Sequence, residues 1–126
     1  MSKKVALVGH CGPDSSFLRM AVSSADRSVQ VLMADDSSEL NKVLEQGVDL
    51  LLLNREMPYG FEDQEGVGLI RKLRSHHPAV RMMLVSNYPE AQAAAVAAGA
   101  VPGFGKREIG TKRVAEVIRE DRKSVV

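Results

Sequence analysis

At 126 residues the chain has the length of one domain built around a single core. Hydrophobic residues make up 44% and charged residues 26%, which excludes a disordered or fibrous chain. Lys+Arg 17 against Asp+Glu 16 leaves a net charge of +1, so the balance gives no sign of a dedicated nucleic-acid surface.

Taken in chain order, apolar runs of strand length alternate with segments of helical period. Residues 5–8 (Val-Ala-Leu-Val) form a short continuous apolar run, which fits a strand buried on both faces. Gly9-His10-Cys11-Gly12-Pro13 breaks it, and Asp14 or Ser15 caps a helix whose apolar stripe is Phe17, Leu18, Ala21 and Val22. Residues 29–33 read as a second strand. Asp36 with Glu39 three residues later forms a capping-box pattern, with Leu40, Val43 and Leu44 inward and Gly47 as the stop. Residues 48–54 are the most apolar run and the third strand. A polar loop, residues 59–66, leads to a helix with Val67, Ile70 and Leu73 inward, ended by His76-His77-Pro78. Residues 80–85 are the fourth strand. Pro89 fits the first turn of an alanine-rich helix reaching Gly99. Residues 101–104 are a weak fifth strand, and the last helix carries Ile109, Val114, Val117 and Ile118 before a tail at residues 123–126.

Five strands alternating with five helices predict an α/β domain over residues 1–122: a doubly wound parallel sheet between two helix layers. Right-handed crossovers favour the flavodoxin-like strand order 2-1-3-4-5. The loops after strands 1, 3, 4 and 5 then converge on one crevice, and they begin at Gly9-His10, Asn54, Ser86 and Gly105-Lys106.

Asn54 closes the third strand and is followed by Arg55-Glu56-Met57-Pro58; Ser86 closes the fourth; Gly99-Ala100 precede Phe104 and Lys106. In this order and at these strand ends, the residues resemble a response-regulator receiver domain across essentially the whole chain. The resemblance puts Asn54 at the phosphoacceptor position, Ser86 at that of the conserved hydroxyl, Phe104 at the switch aromatic and Lys106 at the invariant lysine. It also puts Gly9 and His10 where the family carries two acidic metal ligands, and leaves the carbonyl of Glu56 as the main family ligand.

The departures fall on the chemistry. An amide oxygen carries no full negative charge, so Asn54 is a poor nucleophile and a poor ligand beside a carboxylate. Mg²⁺ wants oxygen ligands that usually include carboxylates, and phosphoryl transfer relies on the metal's charge neutralisation. The expectation is therefore an atypical receiver with no metal, no cofactor and no enzymatic activity. Lys106 then bonds either the Asn54 amide oxygen or a carboxylate such as Asp14. Of the other candidates, His10-Cys11 lie on one extended segment and point apart, and Asp35-Asp36 read as helix caps. Gly9, Gly12 and Pro13 lack the spacing of a phosphate-binding loop.

The lone cysteine excludes an internal disulfide and suits a reducing compartment, no signal-peptide core follows Met1, and no apolar run approaches the roughly 20 residues that span a bilayer. A cytoplasmic, phosphorylation-independent module for two-component or phosphorelay signalling is the expected function. The family's interaction face, built from the fourth helix, fifth strand and fifth helix, would meet a protein partner or a second copy, with neither nucleic acid nor membrane bound directly. The alternative is a sensor that holds a small anionic molecule in the vacated acidic pocket.

Overall fold

Alternate residues along each strand bury opposite faces of one sheet, and that alternation builds the molecule. The computed structural model describes residues 3–124. Its strands are β1 (Lys4–Val8), β2 (Gln30–Ala34), β3 (Leu50–Asn54) and β4 (Arg81–Val85). The helices are α1 (Gly12–Ala25), α2 (Ser37–Gln46), α3 (Gly66–His76), α4 (Pro89–Ala98) and α5 (Lys112–Ser124), with a 3₁₀ turn at Lys106–Glu108. All pairings are parallel, in the order β2-β1-β3-β4. Ala6, Val8, Leu51, Leu53, Met82 and Leu84 face one layer, packed with Leu40, Val43, Leu69, Ile70, Leu73, Ala95 and Ala98 from α2, α3 and α4. Val5, Leu7, Leu50, Leu52, Met83 and Val85 face the other, packed with Leu18, Val22, Val114 and Ile118 from α1 and α5. Strands this apolar suit burial on both faces.

The expected five-stranded sheet is corrected to four strands. Residues 101–104 lie along the free edge of β4 but meet it by a single parallel bridge, Val85 to Phe104. Backbone bonds from Val101 N to Met82 O and from Ser86 N to Phe104 O, each 2.9 Å, bracket a gap between them. Pro102 has no N–H to give a ladder. Gly103 runs so close to β4 that a Cβ there would lie 2.2 Å from the Leu84 carbonyl oxygen.

The helix ends follow local chemistry. Asp36 caps α2 by accepting from Glu39 N at 2.8 Å, and Glu39 reaches back to Asp35 N rather than to Asp36. Cys11, not Asp14 or Ser15, is the N-cap residue of α1, without a side-chain cap bond. Phe17 is 58% exposed instead of inward. The buried stripe of α1 is Leu18, Ala21, Val22 and Ala25, and Phe17 lies one residue, about 100°, off it. At its C-terminus α1 has no basic residue of its own; Arg119 of α5 donates from Nε to Ala25 O at 2.9 Å. The tail expected at residues 123–126 is shortened, since α5 runs to Ser124, and Val125 and Val126 lie outside the described residues. Among the described residues no helix is long and apolar enough to cross a membrane.

Candidate functional site

The parallel order brings the carboxyl ends of β1, β3 and β4 to one edge, where a groove of about 260 Å³ opens. Asn54, Arg55, Glu56, Ser86, Tyr88 and Lys106 are among its lining residues. Four of the candidates, Asn54, Glu56, Ser86 and Lys106, thus line one groove. The backbone of Gly9 joins them through Asn54, whereas the side chains of His10 and Phe104 turn into the protein.

Asn54 Nδ2 donates to Gly9 O at 3.1 Å and to Glu56 O at 3.0 Å, while its Oδ1 accepts from Arg55 N at 3.0 Å. Chemistry fixes this orientation of the amide. The reverse flip would press an oxygen against two carbonyls and an NH₂ against an N–H. The two amide hydrogens bridge two carbonyls that converge at the crevice, and the Glu56 carbonyl is the one that the resemblance assigns to a metal. The residues therefore do not fit Mg²⁺: an amide donor occupies the place, the convergent carbonyls are engaged, and Gly9 brings no side chain. Among the described residues no group of three His, Cys, Asp or Glu is arranged to hold a metal ion.

Gly9 is more than a missing acid. Its φ of +74° is left-handed, and a Cβ would meet Met57 Sδ at 3.0 Å. That turn delivers His10 into the interior, 7% exposed, where Nε2 lies 2.8 Å from Leu52 O. A carbonyl only accepts, so Nε2 carries the proton. Nδ1 is then a buried acceptor with no partner among the described residues. Burial above all pushes the imidazole pKa down to about 4, with the Lys106 charge adding to the effect and the Leu52 bond and Asp14 opposing it. His10 is neutral at physiological pH and packs as a buried polar side chain.

Lys106 pairs with Asp14 at 3.0 Å, which resolves the two partners that the sequence left open. The Lys106 hydrogen bond is the main reason that the Asp14 carboxyl is held below its ordinary range; burial opposes this, and a bond from Cys11 assists it. Both side chains keep about a third of their surface or less in solvent, 36% and 26%. Ser86 is buried, and its Oγ accepts from Tyr88 N at 3.2 Å at the start of α4. Phe104, 1% exposed, packs in the α1–α5 layer.

The sequence reading missed four residues here. Arg55 lies over the Tyr88 ring at 4.7 Å and pairs with Glu56 at 3.1 Å. Asn87 Oδ1 accepts from Arg107 N at 3.0 Å, which ties the loop after β4 to the 3₁₀ turn. Gln92, read only as a member of an alanine-rich helix, bonds the free edge of β4. Its signal was faint: it is the one uncharged polar side chain in α4. His76 and His77 end α3 away from these residues, with His76 exposed.

No protein-family model matches the chain, and no curated protein matches it. Solved structures do. The non-phosphorylated receiver domain of the stress response regulator RcsB from Escherichia coli superposes with a TM-score of 0.80 at 18% identity, over 98% of this chain and 95% of that one. The chain has the receiver-domain fold. The beryllofluoride-activated NtrC4 receiver domain dimer matches over 100% of both chains, with a TM-score of 0.75 and 17% identity. A response regulator from Thermotoga maritima matches with a TM-score of 0.71 and 22% identity, over 99% and 98%. These identities speak for the fold; the side chains above bear on what this member of the fold does with it.

Proposed function

We propose that this receiver fold works without aspartyl phosphorylation, as a cytoplasmic protein-interaction module of two-component or phosphorelay signalling. The observation that carries the reading is the Asn54 amide, whose N–H groups bridge Gly9 O and Glu56 O. A nucleophile and a cation are replaced by two hydrogen bonds. Catalysis has no place in this reading, nor has direct binding of nucleic acid or membrane. The test is incubation with acetyl phosphate, or with beryllofluoride plus Mg²⁺, followed by intact mass and NMR. Unchanged mass and unshifted amides at residues 54, 86 and 106 are expected; a phosphoryl adduct overturns the proposal.

The interaction face assigned to it is α4 with the segment at 101–104 and α5. Ala93, Ala94, Val96 and Ala97 are exposed on α4, and side chains this small let another helix or backbone approach closely. Light scattering and crosslinking are expected to show a second copy or a captured partner, and Ala93→Arg with Ala97→Arg to abolish it. A strict monomer with no partner sinks this part.

One observation favours the anion-sensing alternative: the groove is lined by both Arg55 and Lys106. Against it, Lys106 is paired with Asp14, Arg55 with Glu56, and the Asn54 amide is fully engaged. Thermal shift against inorganic phosphate and small phosphorylated metabolites separates the two; stabilisation by any of them selects the sensor.

A further inference from the structure

We infer that Gln92 is a latch that holds α4, the end of β4 and residues 103–104 as one body, fixing the exposed α4 face in a single arrangement. The inference concerns conformation, and it stands whether or not that face has a partner.

Carbonyls two residues apart on a strand point the same way. Val101 N takes the Met82 carbonyl, so the Leu84 carbonyl also faces the free edge of β4. There it finds no backbone donor among the bonds that border the gap. Gln92 supplies one: Nε2 donates to Leu84 O at 2.9 Å, to Ser86 O at 3.1 Å and to Phe104 O at 3.2 Å. Its Oε1 accepts from Gly103 N at 3.3 Å. One side-chain amide thus stands between the Leu84 carbonyl and the Gly103 N–H, doing for this edge what a fifth strand would do. Two hydrogens serve three acceptors, so at least one N–H is shared, and no rotamer with fewer partners is equivalent. Gly103 makes room, since a Cβ there would also lie 3.2 Å from Gln92 Oε1.

Mechanical consequences follow from where these groups belong. Leu84 and Ser86 flank the end of β4, Phe104 is the buried aromatic, and Gln92 is on the first turns of α4. Moving α4 by a helical step would take the Gln92 amide from Leu84 O, Ser86 O and Gly103 N at once, while Phe104 O keeps the Ser86 N–H, and each such loss is costly. Elsewhere on α4 the core contacts come from small residues, with Ala95 and Ala98 buried and Ala91 packed against the same core. Gln92 thus adds a polar fastening to the packing of Ala91, Ala95 and Ala98.

Amide hydrogen exchange on the full chain tests this. In the unsubstituted protein the Ser86 and Gly103 amides and those of α4 are expected to open together, with one common protection factor. Independent protection factors for Gly103 and α4 overturn the latch. In Gln92→Ala the same amides are expected to exchange about tenfold faster or more, while β1 and β3 amides change far less. Uniform acceleration over the whole chain, or none at Gly103, overturns it as well. The first measurement needs no variant, so a poorly folding substitution does not spare the proposal.

Discussion

Two carboxamides hold the carboxyl edge of this domain's sheet, and they do so in different surroundings. Asn54 stands at the end of β3, in a groove open to water; Gln92 reaches from α4 to the outer edge of β4. Each gives its N–H groups to backbone carbonyls from separate stretches of chain. Asn54 fills a place that the receiver resemblance gives to a cation, whereas Gln92 fills one that a strand would otherwise occupy. The difference lies in what can replace them. The carbonyls at Asn54 face an open groove, whereas those at the free edge of β4 lie partly buried beneath α4.

Substituting each amide with its isosteric acid breaks the comparison open. Gln92→Glu removes both donors and sets a carboxylate against the carbonyls of Leu84, Ser86 and Phe104. Urea unfolding is expected to show a loss of about 4 kcal/mol, unrelieved by Mg²⁺. If Mg²⁺ restores that loss, the two sites are alike and the contrast fails.

The buried His10 beneath this edge should behave like the Gln92 site. Its pKa is lowered to about 4 in the folded protein, against an ordinary histidine value of 6.5. The unfolded chain therefore takes up a proton first as pH falls. The contribution is fully present above pH 6.5, shrinks through the interval down to about 4, and totals roughly 3 kcal/mol. Stability curves at pH 7, 5.5 and 4 are expected to show that decline, and His10→Gln to flatten it. An unchanged slope in His10→Gln would place the acid sensitivity elsewhere.

Asn54→Asp is expected to cost less, about 2 kcal/mol, because water reaches the groove. Millimolar Mg²⁺ should not recover it in the single variant. His10→Asp added to it should not bring Mg²⁺-dependent stabilisation in thermal melts, because the side chain at position 10 turns into the protein against Leu52 O. Adding Gly9→Asp should weaken the double variant, since position 9 has φ +74° and a Cβ would crowd Met57. The smallest effect belongs to Lys106→Ala. A pair as exposed as Lys106–Asp14 contributes no more than about 1 kcal/mol, and the difference should fade at high salt.

The layers and the strand order of β1 to β4 were legible because apolar runs and helical periods are local signals, and the crossover rule converts them into topology. The crevice was legible for the same reason: Gly9, Asn54, Ser86 and Lys106 all follow strands or the segment at 101–104. Strand continuity at 101–104 was not, because Pro102 and the close approach of Gly103 act through a neighbour 20 residues or so away in sequence. Phe17 was placed inward by a pattern that resolves helix faces only to about one residue. The partners of Lys106, the inward turn of His10 and the whole role of Gln92 depend on three-dimensional juxtaposition. A glutamine in an alanine-rich helix gives no hint of which carbonyls it will meet.

The Arg119 contact with Ala25 closes a loop of 94 residues, three quarters of the chain. A helix carries negative partial charge at its carboxyl end, and α1 recruits its cation from the far end of the sequence. During synthesis, then, the first helix is finished only after the last one has left the ribosome. A chain lacking α5 would leave that side of the sheet covered by α1 alone, without Val114 and Ile118 over it. Docking of α5 against α1 closes this layer of the sheet.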